Sequence, residues 1–255
     1  IALILSIRKS RYDIVIDCST PSGFSLSNGL VAKLTGGIYR VGFQRGASNC
    51  FLNCTVVPDN NKYYVEIMHD LLAVFTPEVK YYPPKIYLTD TEISSAWEEL
   101  SGLNIGRHEK LIYIWVGARH SKQWDIEHFR ALAGSLRSHN RARVLYLCGP
   151  EEKKHYEYLS ENEPGSTLYI DDIRKLAGLI TVCELFVSGD TGPLHLAAVL
   201  AKSTIGIYFL NNYSVYGYDD GAKHKVVDLS NEIDNVKKVT AACHEVLRSE
   251  ERRVG

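Results

Sequence analysis

The sequence predicts an α/β protein built on parallel sheets and divided into two domains. From residue 111 onward, short aliphatic and β-branched runs alternate with helical patterns, the signature of a parallel sheet covered on both faces. A shorter alternation of the same kind occupies 12–75, and the stretch 102–110 between the two is polar and turn-rich. The length, 255 residues of which 45% are apolar, is sufficient for two hydrophobic cores.

Residues 1–9 read as the apolar end of a helix, and position 1 is Ile, so further sequence is expected upstream. Tyr-Asp-Ile-Val-Ile-Asp at 12–17 is a β-branched run that ends at Ser19-Thr20-Pro21-Ser22-Gly23, after which 24–34 carries apolar residues at near-helical spacing. Gly36-Gly37 stops that helix before a second strand over 38–43, and a helix over 63–75 follows. Pro77, Pro83 and Pro84 break the chain, and a short helix over 92–100 leads into the polar stretch. The boundary is therefore expected there: 1–103 forms an incomplete first domain and 104–255 a second. In the second, strands are expected at 111–115, 144–148, 167–170, 185–188, 204–209 and 225–227. Helices are expected near 125–138, 151–162, 173–182, 193–201 and 233–247. The closing Arg-Ser-Glu-Glu-Arg-Arg-Val-Gly at 248–255 resembles the in-frame translation of a sequencing adaptor; a charged helix tail is the plainer reading.

Composition narrows the function classes. Lys+Arg 29 against Asp+Glu 30 leaves a formal charge of -1, and no basic run stands out, so nucleic acid is not an expected partner. The six cysteines are scattered, contain no C-x-x-C pair and mostly sit in apolar runs, as suits a reducing, cytoplasmic setting. Cys50 and Cys54 are the nearest pair, but no second pair or His with zinc spacing accompanies them, and no metal is expected. No apolar run approaches the ~20 residues that span a bilayer, so any membrane contact is expected to be peripheral.

In open parallel sheets ligands bind beyond the carboxyl ends of the strands. Three loops qualify: 116–124, 149–153 and 189–195. In the last, a buried strand runs into Gly189, with Asp190 and Thr191 in the turn and Pro193 at an early helical position that needs no N–H. The first N–H groups of such a helix lack internal partners and carry the positive end of its dipole, so they can hold a phosphate, and Gly192 lets it approach. The same residues also suit a plain helix cap, and the segment alone does not separate cap from site. His195 falls on the first helical turn, within reach of a phosphate or sugar hydroxyl, although a lone His is more often structural.

The first loop, Gly117-Ala118-Arg119-His120-Ser121-Lys122-Gln123-Trp124, brings cations to the same sheet edge. Lys122 is the natural phosphate partner, and Trp124 is expected to pack beneath it as core. The loop at Gly149-Pro150-Glu151-Glu152 offers carboxylates that could accept from ribose hydroxyls, with a surface helix-start role as the plainer reading. No G-x-G-x-x-G after a strand, no G-x-x-x-x-G-K-[ST] and no Asp-x-Asp is present. A dinucleotide oxidoreductase, a P-loop NTPase and a metal-held nucleotide diphosphate are thereby disfavoured.

In order and spacing, Gly117-Ala118…Ser121-Lys122-x-Trp124, Gly149-Pro150-x-Glu152 and Asp190-Thr191-Gly192-Pro193-Leu194-His195-Leu-Ala-Ala resemble glycosyltransferase family 9, the ADP-heptose:lipopolysaccharide heptosyltransferases. Tyr12-Asp-Ile-Val-Ile-Asp17 and Arg40-Val-Gly-Phe43 are similar to that family's acceptor-domain strands, so the resemblance covers nearly the whole chain. It implies a GT-B architecture of two Rossmann-like domains, acceptor on the first and nucleotide sugar on the second. It implies inverting, metal-independent transfer of heptose or a related sugar from a donor that is ADP-linked by family default. The acceptor would be a lipopolysaccharide core or other surface glycan, placing the protein in the cytoplasm or at the cytoplasmic face of the inner membrane, with no cofactor besides the substrate. Carried over by position, the Gly117 and Ala118 backbone, Lys122 and the Thr191 and Gly192 amides would hold the diphosphate. Asp190 would contact the sugar beside His195, Glu152 the ribose, and the stretch at Ile170 and Asp171 the adenine.

The family's catalytic base is an Asp in a Gly-Asp turn after the first strand. Its counterpart is expected upstream of Ile1, so neither Asp13 nor Asp17 is assigned that role, and weak donor binding with poor transfer is expected of the 255 residues alone. The family's usual Gly-x-Pro and Phe-Gly-Pro-Thr segments are replaced by Ala201-Lys202-Ser203-Thr204 and Phe209-Leu210-Asn211-Asn212. That departure leaves the sugar open. The alternatives are a non-catalytic nucleotide-sugar-binding or scaffold protein of this fold, and a sugar-nucleotide epimerase.

Overall fold

In the computed structural model the chain divides into two compact units, Ile1–Pro83 and Pro84–Gly255. The structure describes residues 2–76, 78–80, 82–118, 123–140, 142–210, 212–232 and 235–254.

The first unit runs α1 (Ala2–Lys9), β1 (Ile14–Ile16), α2 (Leu26–Leu34), β2 (Tyr39–Phe43), β3 (Cys54–Val56) and α3 (Tyr64–Asp70). Its three strands form a parallel sheet in the order β1-β2-β3, with Val15 opposite Arg40 and Val41 opposite Cys54. Ser25 starts α2 by accepting the Asn28 N–H through its hydroxyl at 3.3 Å. Strand β3 is not among the sequence expectations: its Cys-Thr-Val holds one aliphatic residue, against three in Ile-Val-Ile of β1, so no apolar run marks it. The helix expected over 63–75 stops at Asp70 and continues only as a turn in which Leu71 is buried.

At the carboxyl ends of β1 and β2 lies a buried polar knot. Arg45 Nη2 meets Asp17 Oδ2 at 2.8 Å and the Ser19 hydroxyl at 2.6 Å, while Nη1 donates to the Ser19 carbonyl at 2.9 Å. Side-chain exposure is 5% for Arg45 and 4% for Asp17, so both charges are out of water and depend on each other.

The second unit runs α4 (Asp90–Gly102), β4 (Leu111–Trp115), α5 (Ile126–Asn140), β5 (Arg143–Cys148), a 3₁₀ turn at Pro150–Glu152 and α6 (Lys153–Asn162). It continues with β6 (Thr167–Tyr169), α7 (Ile173–Val182), β7 (Leu185–Gly189), α8 (Gly192–Val199), β8 (Ser203–Tyr208), α9 (Tyr213–Tyr216), β9 (His224–Asp228) and α10 (Val236–Val254). The strands form one parallel sheet in the order β6-β5-β4-β7-β8-β9. Its faces are read off the alternation along β4. Ile112 and Ile114 join one buried cluster with Trp124, Phe129 and Leu136, while Leu111, Tyr113 and Trp115 join another with Leu147, Leu176 and Ile180. Each fully buried Leu, Ile or Phe contributes ~1.5–3 kcal/mol over an exposed one, so the sheet is anchored from both sides.

The break between units falls before α4, whereas the sequence places it after 103. Helix α4 is capped by a reciprocal Thr89–Glu92 box and buries Ala96 and Leu100 in the second unit's core. It is tied to α7 by Glu92–Arg174 at 2.6 Å and Glu99–Lys175 at 2.8 Å. The polar stretch 102–110 is thus a loop inside the second unit. At the other end, residues 248–254 continue α10, and Glu250 accepts the Ser203 hydroxyl at 2.9 Å.

Candidate functional site

The strand order sets the site's position. From β4 the chain steps outward to β5 and β6, then crosses back so that β7, β8 and β9 extend the sheet on the other side of β4. The order reverses between β4 and β7, and the loops leaving these neighbours diverge, opening a crevice beyond their carboxyl ends. The Gly117 and Ala118 backbone leaves β4 on one side, and Asp190-Thr191-Gly192 leaves β7 on the other. Arg119, His120, Ser121 and Lys122 lie outside the described residues. Trp124, at the end of that loop, is buried core, its indole edge-on to Phe129 with ring centres 5.1 Å apart.

On the β7 side, Thr191 is extended at φ -140 and ψ 162, and its side chain does not cap α8. Its hydroxyl instead pairs with that of fully buried Ser188 at 2.8 Å. The Leu194 N–H bonds the Thr191 carbonyl at 3.1 Å, which starts the helix, and Pro193 has no N–H to satisfy. The Thr191 hydroxyl therefore does not cover the helix end. Among the described residues, and apart from its chain neighbours and its own helix backbone, a Cβ at Gly192 would meet no heavy atom within 4 Å. The cap alternative thus does not describe Thr191, and the terminus keeps the geometry that suits an anion.

Asp190 has a side-chain exposure of 9%. Asn212 Nδ2 donates to its Oδ2 at 3.3 Å, and His195 Nε2 stands 3.6 Å from its Oδ1. His195, half-exposed on the first turn of α8, has its Nδ1 3.2 Å from the Tyr218 hydroxyl. Asp190 and His195 are therefore brought together at one end of the crevice.

Glu152 is not the surface carboxylate of the plainer reading. It folds back so that Oε2 accepts the Gly149 N–H at 3.0 Å. A Cβ at Gly117 would lie 2.5 Å from its carboxyl carbon, and one at Gly149 2.9 Å from the Trp115 ring. Only glycine at both positions lets the carboxylate settle across the loops after β4 and β5, with Trp115 as the wall behind. Burial pushes the Glu152 carboxyl above its ordinary range, and the Gly149 N–H pulls it partly back. Beside it, Gln123, Glu152, Lys153 and His155 border an open depression of about 580 Å³.

The stretch at 170–171 divides. Ile170 is 3% exposed, its side chain in the core with Leu147 and Leu176 and its N–H on the Cys148 carbonyl at 2.8 Å. That side chain faces no ligand; exposed Asp171 and the backbone remain. Trp115, Ser188 and Tyr218 were not singled out by the sequence, and Asn212 only as part of the 209–212 segment that departs from the resembled family. Alternation along β4 and the two glycines flanking its loop could have pointed to Trp115. Tyr218 carries no local signal.

Comparison with known proteins bears on the family and the fold. The family model described as "Glycosyltransferase family 9 (heptosyltransferase)" matches residues 1–246. Lipopolysaccharide heptosyltransferase 1 of Escherichia coli K12 is 25% identical over 212 residues, 80% of this chain and 62% of the relative. The chain therefore spans less than two thirds of the length of that curated relative. Among solved structures, a family 9 glycosyl transferase from Veillonella parvula superposes with a TM-score of 0.74 at 16% identity, covering 98% of this chain and 76% of the other. The E. coli heptosyltransferase WaaC with ADP superposes at 0.64 and 23% identity, covering 98% and 77%. These structural likenesses establish the GT-B fold. By the family match over 246 of its residues, the chain belongs to glycosyltransferase family 9.

Proposed function

We propose that the protein is an inverting, metal-independent glycosyltransferase that moves heptose or a related sugar from a nucleotide diphosphate, ADP-linked, to a lipopolysaccharide core or other surface glycan. The observation that carries the reading is the pairing, across the reversal of strand order, of the β4 loop with a helix end that the Thr191 side chain leaves uncapped. Family membership supports it, as do two solved relatives of this fold, WaaC with ADP and WaaC with ADP-2-deoxy-2-fluoro heptose.

In this reading the Gly117 and Ala118 backbone, Lys122 and the Thr191 and Gly192 amides hold the diphosphate. Asp190 and His195 take sugar hydroxyls. Glu152 takes the ribose, and Asp171 with the Ile170 backbone borders the base. The acceptor belongs to the first unit, and contact with the inner membrane's cytoplasmic face is peripheral; among the described residues no helix is long and apolar enough to cross a membrane.

Transfer proceeds as a base takes the acceptor hydroxyl's proton and that oxygen attacks the anomeric carbon opposite the departing diphosphate. Charge grows on the leaving group, where Lys122 and the α8 amides stabilise it; a well-placed donor of this kind contributes ~2.7–4 kcal/mol. The sequence contains no Asp-x-Asp to hold a divalent ion against the diphosphate, which is why the cation and the helix end are given this work. Calorimetry with full-length protein tests the assignment. Lys122→Ala should weaken ADP binding about tenfold, which is ~1.4 kcal/mol. Unchanged affinity would remove Lys122 from the site.

A further inference from the structure

Asp190 and His195 approach one another only to 3.6 Å, beyond hydrogen-bond length. Each is met instead by a side chain from the connection between β8 and β9. Asn212 Nδ2 reaches Asp190 Oδ2 at 3.3 Å, and the Tyr218 hydroxyl lies 3.2 Å from His195 Nδ1, with the two rings edge to face at 5.5 Å. The carboxylate beside Nε2 favours a proton on that nitrogen, which makes Nδ1 the acceptor of the Tyr218 O–H.

The connection is built to hold those two side chains still. Buried Tyr208 donates its hydroxyl to the Tyr216 carbonyl at 3.2 Å, and the Gly217 N–H closes on the Tyr213 carbonyl at 2.7 Å. Just beyond Tyr218, Asp220 accepts the N–H groups of Ala222, Lys223 and His224 at 3.0, 2.7 and 2.8 Å. Tyr218 is thus fastened on both sides in sequence. Holding a recognition group in place before the ligand arrives removes the ordering cost from binding.

We propose that Asn212 and Tyr218 are positioning residues for the donor sugar. They hold the Asp190 carboxylate as an acceptor and the His195 Nε2–H as a donor, side by side, for two neighbouring hydroxyls. This rests on reading the crevice as a nucleotide-sugar site. It names the substrate class more closely: a sugar whose adjacent hydroxyls can give one proton to a carboxylate and accept one from an imidazole.

Calorimetry of full-length wild type, Tyr218→Phe and Asn212→Ala with ADP and with ADP-heptose separates the parts. The variants should bind ADP within about twofold of wild type, while the extra affinity for ADP-heptose over ADP falls about fivefold, as expected for one lost hydrogen bond. Long-range ¹H–¹⁵N spectra should show the His195 Nε2–H form in wild type and a mixture of tautomers in Tyr218→Phe. If wild type prefers ADP-heptose and both variants keep the full preference, the positioning role is overturned. Equal losses for ADP and ADP-heptose would overturn it too, since they would report a structural role. A wild type that binds neither ligand would overturn the donor-site reading and this inference together; one that binds both alike would overturn this inference alone.

Discussion

Two parallel strands, β1 and β7, are each followed at their carboxyl ends by an almost buried aspartate, and the two are held in contrasting ways. Asp17 faces the Arg45 guanidinium and Ser19, in a knot whose charges neutralise one another. Asp190 faces an amide and an imidazole at longer range, beside a helix end. Asp17 is matched to a buried guanidinium and holds a loop, whereas the contacts that Asn212 and His195 make to Asp190 are longer. Position at the end of a parallel strand thus does not by itself say how an aspartate is held.

The largest expected effect breaks that contrast directly. Asp17→Ala leaves Arg45 buried without its counter-charge and should cost about 3–5 kcal/mol in urea unfolding of the first unit. Asp190→Ala should change unfolding by less than about 1 kcal/mol, yet lower sugar transfer by roughly 100-fold. The opposite pattern would reverse the two roles.

Gly192→Ala sharpens the comparison on the β7 side. Among the described residues the added methyl meets no atom beyond its chain neighbours and its own helix backbone, so the melting temperature should hold, but it stands where the phosphate of the proposed donor would approach. ADP affinity read by calorimetry should fall about tenfold. A clean loss of stability with affinity retained would remove the phosphate role.

Glu152 adds a pH dependence with a definite sign. Burial raises its pKa above 4.5 in the folded protein, so its contribution to stability is fully present below that value and lost as pH rises through the folded pKa. Melting curves from pH 4 to 7 should show Glu152→Gln gaining on wild type as pH rises, while ADP binding weakens severalfold. A flat difference would argue against the buried carboxylate.

The smallest effect belongs to the exposed counterpart of Asp17–Arg45. Arg174 and then the Thr89 N–H hold the Glu92 carboxyl down at about 2. Its contribution is present above the usual carboxylate pKa and lost as pH falls toward about 2. Arg174→Ala should therefore destabilise the second unit slightly at pH 7 and not at pH 2, by the same melting assay.

The sheet of the second unit was legible because each strand is an apolar run bounded by turns, and buried parallel strands need nothing more. Strand β3 was hidden because Cys-Thr-Val carries a single aliphatic residue, where the equally short β1 carries three. The place of α4 was hidden because a capping box starts a helix without naming its partner; Ala96, Leu100 and Glu92 choose the second unit only through contacts with distant residues. In the site, strand-to-helix loops marked Gly117, Glu152 and Asp190, since the chain must turn there. That Glu152 would be drawn inward depended on two glycines on separate loops meeting one carboxylate. Asn212 and Tyr218 meet Asp190 and His195 across 22 and 23 residues, where no local periodicity reaches.

The central claim is that the loops leaving β4 and β7 hold a nucleotide's diphosphate between them. Backbone amide spectra of the protein titrated with ADP test it most directly. The largest shifts are expected at Thr191 and Gly192 together with Gly117 and Ala118, while the Asp17–Arg45 knot stays unmoved. Saturable binding that leaves those four amides in place would contradict it.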